Sequence, residues 1–143
     1  MAIIPNPELR AQIEAAAAGI VPHVNVLGKY AALAAYTECD GWLDEVLAYL
    51  IANRNFVVEY VDKYLPGIMT TVPEATYLAW FDCRESGIEG NPHEFFLEHA
   101  RVAMNDGERF GPGGEGFVRL NFGCPRTTLV EGLERMRRAL SAL

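Results

Sequence analysis

Arg119 is the residue whose chemistry is hardest to explain away. It stands in the middle of Phe117-Val-Arg-Leu-Asn-Phe122, a run otherwise apolar enough to be a strand. A guanidinium held among aromatics needs an anionic partner, because a buried unpaired charge is strongly destabilising. Its planar fork matches a carboxylate with two parallel hydrogen bonds. Two partners satisfy that requirement: one of the chain's 19 acids, in an internal ion pair, or the carboxylate of a ligand. The physics of the residue leaves these two readings level.

Other reactive residue types organise less well. Cys39, Cys83 and Cys124 are odd in number and 44 and 41 residues apart, unlike a disulfide framework or a metal knuckle. They read as reduced thiols of a cytoplasmic protein, Cys83 serving as a small hydrophobe. His93 and His99 are six apart and fall on different helix faces, and His23 reads as a solvent-exposed residue in a turn. No His-Glu-x-x-His occurs, so no metal is expected. Gly111-Pro-Gly-Gly-Glu-Gly116 has the letters of a dinucleotide fingerprint, but a strand follows it where that site needs a helix N-terminus. Gly28-Lys29 lacks the phosphate-loop context, with His23 in place of its first glycine and Tyr30 in place of Ser or Thr.

The elements that must position Arg119 follow from periodicity. Asn6 is a candidate cap for a helix with Pro7 at its first position, Leu9, Ile13, Ala17 and Ile20 at helical spacing, and Gly19 at its end. Asn25 opens a second helix with small residues at Gly28, Ala31, Ala32, Ala34 and Ala35. Asp40 caps a third, of over twenty residues, whose apolar stripe runs through Leu43, Val46, Leu47, Leu50, Val57, Val61 and Tyr64 to Pro66-Gly67. Ile68–Val72 and Thr76–Phe81 then read as short strands, the second apolar on both faces and so expected inside the sheet with cover on each side. Asn91 to Glu94 has capping-box spacing for a helix to about Arg101, followed by a short strand at Val102–Met104. Five glycines and a proline in residues 107–116 predict a mobile loop or sharp bend. Phe117–Phe122 returns to strand, and Pro125 opens a last helix with Leu129, Leu133, Met136, Leu140 and Leu143 on one face.

Composition sets the frame. The chain has 143 residues, half of them hydrophobic and 22% charged, which suits one globular domain. Its net charge of −7 repels phosphate backbones, so no nucleic-acid partner is expected. No stretch approaches the roughly 20 apolar residues of a membrane span. The opening Met1-Ala-Ile-Ile-Pro5 has neither a basic nor an apolar signal region, and a cytoplasmic location is expected.

The run Arg119-Leu-Asn-Phe-Gly-Cys-Pro-Arg126 resembles a signature near the C-terminus of class I/II aminotransferases, in the cystathionine β-lyase-like branch of fold-type-I pyridoxal-phosphate enzymes. Pro5-Asn-Pro-Glu-Leu-Arg10 resembles the segment after the family's cofactor lysine. Asn25-Val-Leu-Gly28 with its Ala-rich helix resembles the family's linker helix, and Thr76-Tyr-Leu-Ala-Trp-Phe-Asp82 its small-domain strand. The resemblance implies an α/β (α+β) fold: interdomain helices, then a small mixed sheet with helices packed on it. It implies residues 1–24 as the segment after a missing cofactor-binding large domain, 25–66 as interdomain and small-domain helices, and 67–143 as the small-domain sheet and last helix.

The same resemblance assigns Arg119 to the α-carboxylate of an amino-acid substrate, with pyridoxal phosphate in an intact, homodimeric enzyme. No cofactor is expected on this chain, because its lysines, Lys29 and Lys63, both read as solvated helix residues outside a Ser/Thr-x-x-Lys context. Alone it is therefore expected to be inactive, with no catalytic residue of its own. The alternative is a stand-alone carboxylate-binding or protein-interaction module without catalysis.

Overall fold

A computed structural model describes residues 3–22 and 24–143. It divides into two compact units, the first ending at Trp42 and the second covering Leu43–Leu143.

The first unit is helical. In α1 (Pro7–Ala17) Asn6 accepts hydrogen bonds from the backbone N–H groups of Glu8 and Leu9, and proline occupies the first helical position. In α2 (Val26–Glu38) Asn25 accepts from the Gly28 N–H at 2.7 Å. Neither helix buries a single residue, although Leu9, Ile13, Leu27, Tyr30 and Leu33 are large and apolar. α3 begins within this unit and runs Asp40–Tyr64. Gly67, at φ +75°, turns the chain just beyond it, where a Cβ would sit 2.1 Å from the Glu85 carbonyl oxygen.

The second unit carries the sheet. Its strands are β1 (Met69–Thr70), β2 (Leu78–Asp82), β3 (Asn105–Asp106) and β4 (Phe117–Asn121), in the order β1-β2-β4-β3. Every pairing is antiparallel, so the expected mixed sheet is corrected to an antiparallel one within the expected α+β class. A parallel pair needs a long crossover. Here, instead, β1 and β2 are joined by a short connection, and β3 leads into β4 through the glycine-rich bend. The expected strand at Val102–Met104 also shifts: pairing with β4 starts only at Asn105, opposite Arg119.

Alternation along β2 and β4 sorts the sheet into two faces. Ala79 and Phe81 with Val118 and Leu120 are buried, in a core completed by Val57 and Val61 of α3 and by Leu129, Leu133 and Met136 of α5 (Arg126–Leu140). The N-terminal half of the expected α3 stripe contributes little, since Leu43 and Leu47 stay about half exposed, and Leu143 lies beyond α5 and is exposed. The other sheet face was expected to be covered as well. It is half open instead, with Leu78, Trp80 and Asp82 partly accessible, and its cover is aromatic side chains rather than another layer.

Between β2 and β3, α4 (Pro92–Phe95) continues as a π-helical turn, Phe96–Ala100. Asn91 caps it through the His93 N–H at 2.8 Å. Arg101 ends it in the left-handed region at φ +57°.

Candidate functional site

Arg119 is the central residue of β4. It lies directly opposite Trp80 of β2 on one side and Asn105 of β3 on the other. Opposed residues share a sheet face, so Trp80, Arg119 and Asn105 form a row on the half-open face. Phe117, two residues before Arg119, points the same way and stacks on Trp80 at 5.5 Å and 16°.

Phe110 completes the site from outside the sheet. Its ring meets Trp80 edge-on at 5.5 Å, and the Arg119 guanidinium carbon lies 4.4 Å from its centroid. At the other end of the row Arg84 lies 4.8 Å over Phe117. Two cations thus flank three rings, each attracted by the negative face of the ring it covers.

The glycine-rich stretch is what aims Phe110. It forms the sharp bend of the two expected alternatives, starting with a 3₁₀ turn over Gly107–Phe110 that Asp106 caps through the Glu108 N–H. Gly107 and Gly114 pack backbone to backbone: a Cβ on Gly107 would lie 2.3 Å from the Gly114 carbonyl oxygen, and one on Gly114 2.1 Å from that of Gly107. Only glycine permits that approach.

The polar contact of Arg119 is with a neutral group. Asn105 Oδ1 accepts hydrogen bonds from Nε at 3.3 Å and Nη2 at 3.1 Å. The ion pairs among the described residues are Lys63–Glu59, Arg84–Asp82, Arg135–Glu131 and Arg137–Glu134, and none involves Arg119. The internal ion pair that sequence physics allowed is therefore not made there. A partly accessible cation is presented on a half-open sheet face with a ring behind it and an amide at its side.

Behind the strand, Asn53 of α3 is fully buried and donates from Nδ2 to the carbonyl oxygens of Phe122 and Cys124, each at 3.0 Å. It ties the end of β4 to the long helix. Tyr60, about two turns further along α3, donates its hydroxyl to Glu134 of α5 at 2.6 Å. Burial, and next the Glu134 carboxylate, push the Tyr60 hydroxyl up to about 12.

Neither Asn53 nor Asn105 was found from sequence. An Asn in an apolar helix stripe is a signal for the first. The second depends on which residue faces Arg119 across the sheet, which is not local information.

The remaining candidates disperse. Cys83 is buried, and desolvation, with a smaller contribution from Asp82, pushes its thiol up to about 12. His99 lies tilted against Phe95 at 4.9 Å, His93 sits in α4, and His23 lies outside the described residues. No group of three or more metal-ligating side chains occurs among the described residues. A cavity of about 770 Å³ lies between the π-helical turn and the C-terminal end of α5, and Arg119 does not line it. Among the described residues, no helix is long and apolar enough to cross a membrane.

Known proteins resemble this chain along most of its length. No family model matches it. Cystathionine beta-lyase from Corynebacterium glutamicum is 39% identical over 117 residues, covering 82% of this chain and 31% of that protein. Cystathionine beta-lyase PatB from Bacillus subtilis is 37% identical over 119 residues, covering 82% and 31%. Among solved structures, OvoB superposes with a TM-score of 0.90 at 45% identity, over 99% of this chain and 36% of that one. The pyridoxal-phosphate-bound C–S lyase from Staphylococcus hominis does so at 0.85 and 33%, over 96% and 36%. The chain spans about a third of the length of the curated relatives it matches.

The cofactor named for that lyase finds no covalent anchor among this chain's own residues. Lys63 is half exposed and bound to Glu59 at 2.6 Å, which holds its ammonium above the ordinary lysine range, opposite to what a nucleophilic amine needs. Lys29 is exposed on α2. Pyridoxal phosphate therefore does not fit this chain alone.

Proposed function

We propose, for a chain that belongs with the C-terminal portion of the cystathionine β-lyase-like pyridoxal-phosphate enzymes, that it is the small domain of such a C–S lyase or aminotransferase. Arg119 grips the α-carboxylate of the amino-acid substrate. The cofactor, its lysine and the reacting groups come from a large domain outside the 143 residues, so this chain alone has no catalytic activity. The intact enzyme is a cytoplasmic homodimer, and residues 1–24, 25–66 and 67–143 are respectively the segment after the large domain, the interdomain helices, and the sheet with its last helix.

The observation that carries the assignment is the neutral surround of Arg119: a ring at 4.4 Å, an amide oxygen at 3.1 Å, and no ion pair with a carboxylate among the described residues. Such a cation offers a charge-assisted, bidentate seat for a carboxylate. Holding the carboxylate restricts rotation of the other substituents on Cα, an orientation effect that lowers the barrier to any reaction there. The relatives named as cystathionine β-lyases act on an amino acid, which has the group this seat fits.

Arg119→Ala in the intact enzyme is expected to raise KM for amino acids strongly, by about a hundredfold given the loss of a charge-assisted pair. An unchanged kcat/KM would show the carboxylate assignment to be wrong.

A further inference from the structure

Resting on that reading, we propose that Asn105 is a positioning residue for Arg119, and that its neutral amide is what keeps the site selective for a carboxylate. A guanidinium has five N–H donors in a planar fork. Asn105 takes the Nε–Nη2 edge with a single oxygen, at 3.3 and 3.1 Å. No described residue hydrogen-bonds to Nη1, so the Nη1–Nη2 edge is the one left for a ligand. Phe110 closes one face of the plane at 4.4 Å. With one edge and one face fixed, the guanidinium presents its free edge in one orientation.

The charge of the holder matters as much as its shape. An aspartate in the same place could accept the same two hydrogen bonds. It would also neutralise the guanidinium from within, and a second carboxylate would then meet like charge beside it. Asn105 holds without neutralising. Its backbone pairs with Arg119 across β3 and β4 whatever its side chain, and the side chain is exposed, so an isosteric change leaves the fold intact.

The test uses the intact enzyme with Asn105→Asp, Asn105→Ala and Arg119→Ala, and two competitive ligands, an unreactive amino acid and its carboxamide. Asn105→Asp is expected to weaken the amino acid about tenfold or more and leave the carboxamide unchanged. Asn105→Ala, which loosens the fork without changing its charge, is expected to weaken the amino acid only about threefold. A merely structural role would weaken both ligands alike, and that result overturns the proposal. So does an Asn105→Asp enzyme that still prefers the amino acid as before while Arg119→Ala does not. If Arg119→Ala itself leaves amino-acid binding unchanged, the carboxylate reading fails and this inference with it.

Discussion

Arginine and asparagine face each other across β3 and β4, and what sets the pair apart is its place on the half-open sheet face, since Arg54 also holds a neutral amide, that of its neighbour Asn55. Arg84, Arg135 and Arg137 each hold a carboxylate, as expected of an exposed cation on a chain with 19 acids. Arg119 holds an amide and a ring. The sequence left its partner open between an internal acid and a ligand, because that choice depends on the residue across the sheet, a pairing set by the fold.

The Tyr60–Glu134 bond makes a pH prediction at the same scale. Hydrogen bonds from Tyr60 and Arg137 hold the Glu134 carboxyl below the ordinary range. Its contribution to stability is present above the unfolded carboxyl value and disappears as pH falls through the lowered folded one. Tyr60, raised from 10 to about 12, loses its contribution as pH rises across that interval. Tyr60→Phe should therefore lower Tm near neutrality and flatten both limbs of a Tm-against-pH profile. An unchanged acid limb would show that the bond does not link the two helices energetically. Cys83 gives a second check. Buried, with its thiol at about 12, it should resist a thiol reagent at neutral pH until the chain is unfolded. Rapid labelling of Cys83 in the native state would contradict its place in the core.

Helix starts were legible because caps are local: Asn6, Asn25 and Asn91 each accept backbone N–H bonds as their positions predict, whereas Asp40, expected to cap α3, is instead its first helical residue. Strand limits were less so, since β3 is defined by the β4 residues it meets rather than by its own apolar run. The glycine-rich stretch was recognisable as a bend, but its role in placing Phe110 was not, because that depends on Gly107 meeting Gly114 seven residues on. Gly107→Ala should cost about 3 kcal/mol or more, since a backbone oxygen at 2.3 Å and another at 2.6 Å cannot move aside like a side chain. The same change should weaken amino-acid binding by displacing Phe110. Denaturant unfolding compared with Phe81→Ala, a core deletion expected to cost about 3–5 kcal/mol, calibrates it. A Gly107→Ala protein as stable as the parent would mean that the bend is not the close approach described.

At the scale of the whole molecule, the N-terminal helical unit exposes many large apolar residues. Ile20, Val24, Leu27, Tyr30, Leu33 and Tyr36 are each more than half exposed, well beyond the scattered single apolar residues normal on a surface. The chain by itself should self-associate in sedimentation, and a strictly monomeric, highly soluble chain would count against the need for a covering domain. The most direct test of the central claim is to sequence the source DNA upstream of the Met1 codon. An open frame encoding a large domain, with a Ser/Thr-x-x-Lys upstream of the Met1 codon, is the predicted result. A stop codon and ribosome-binding site immediately upstream would contradict it, and the chain would then be a carboxylate-binding module without catalysis.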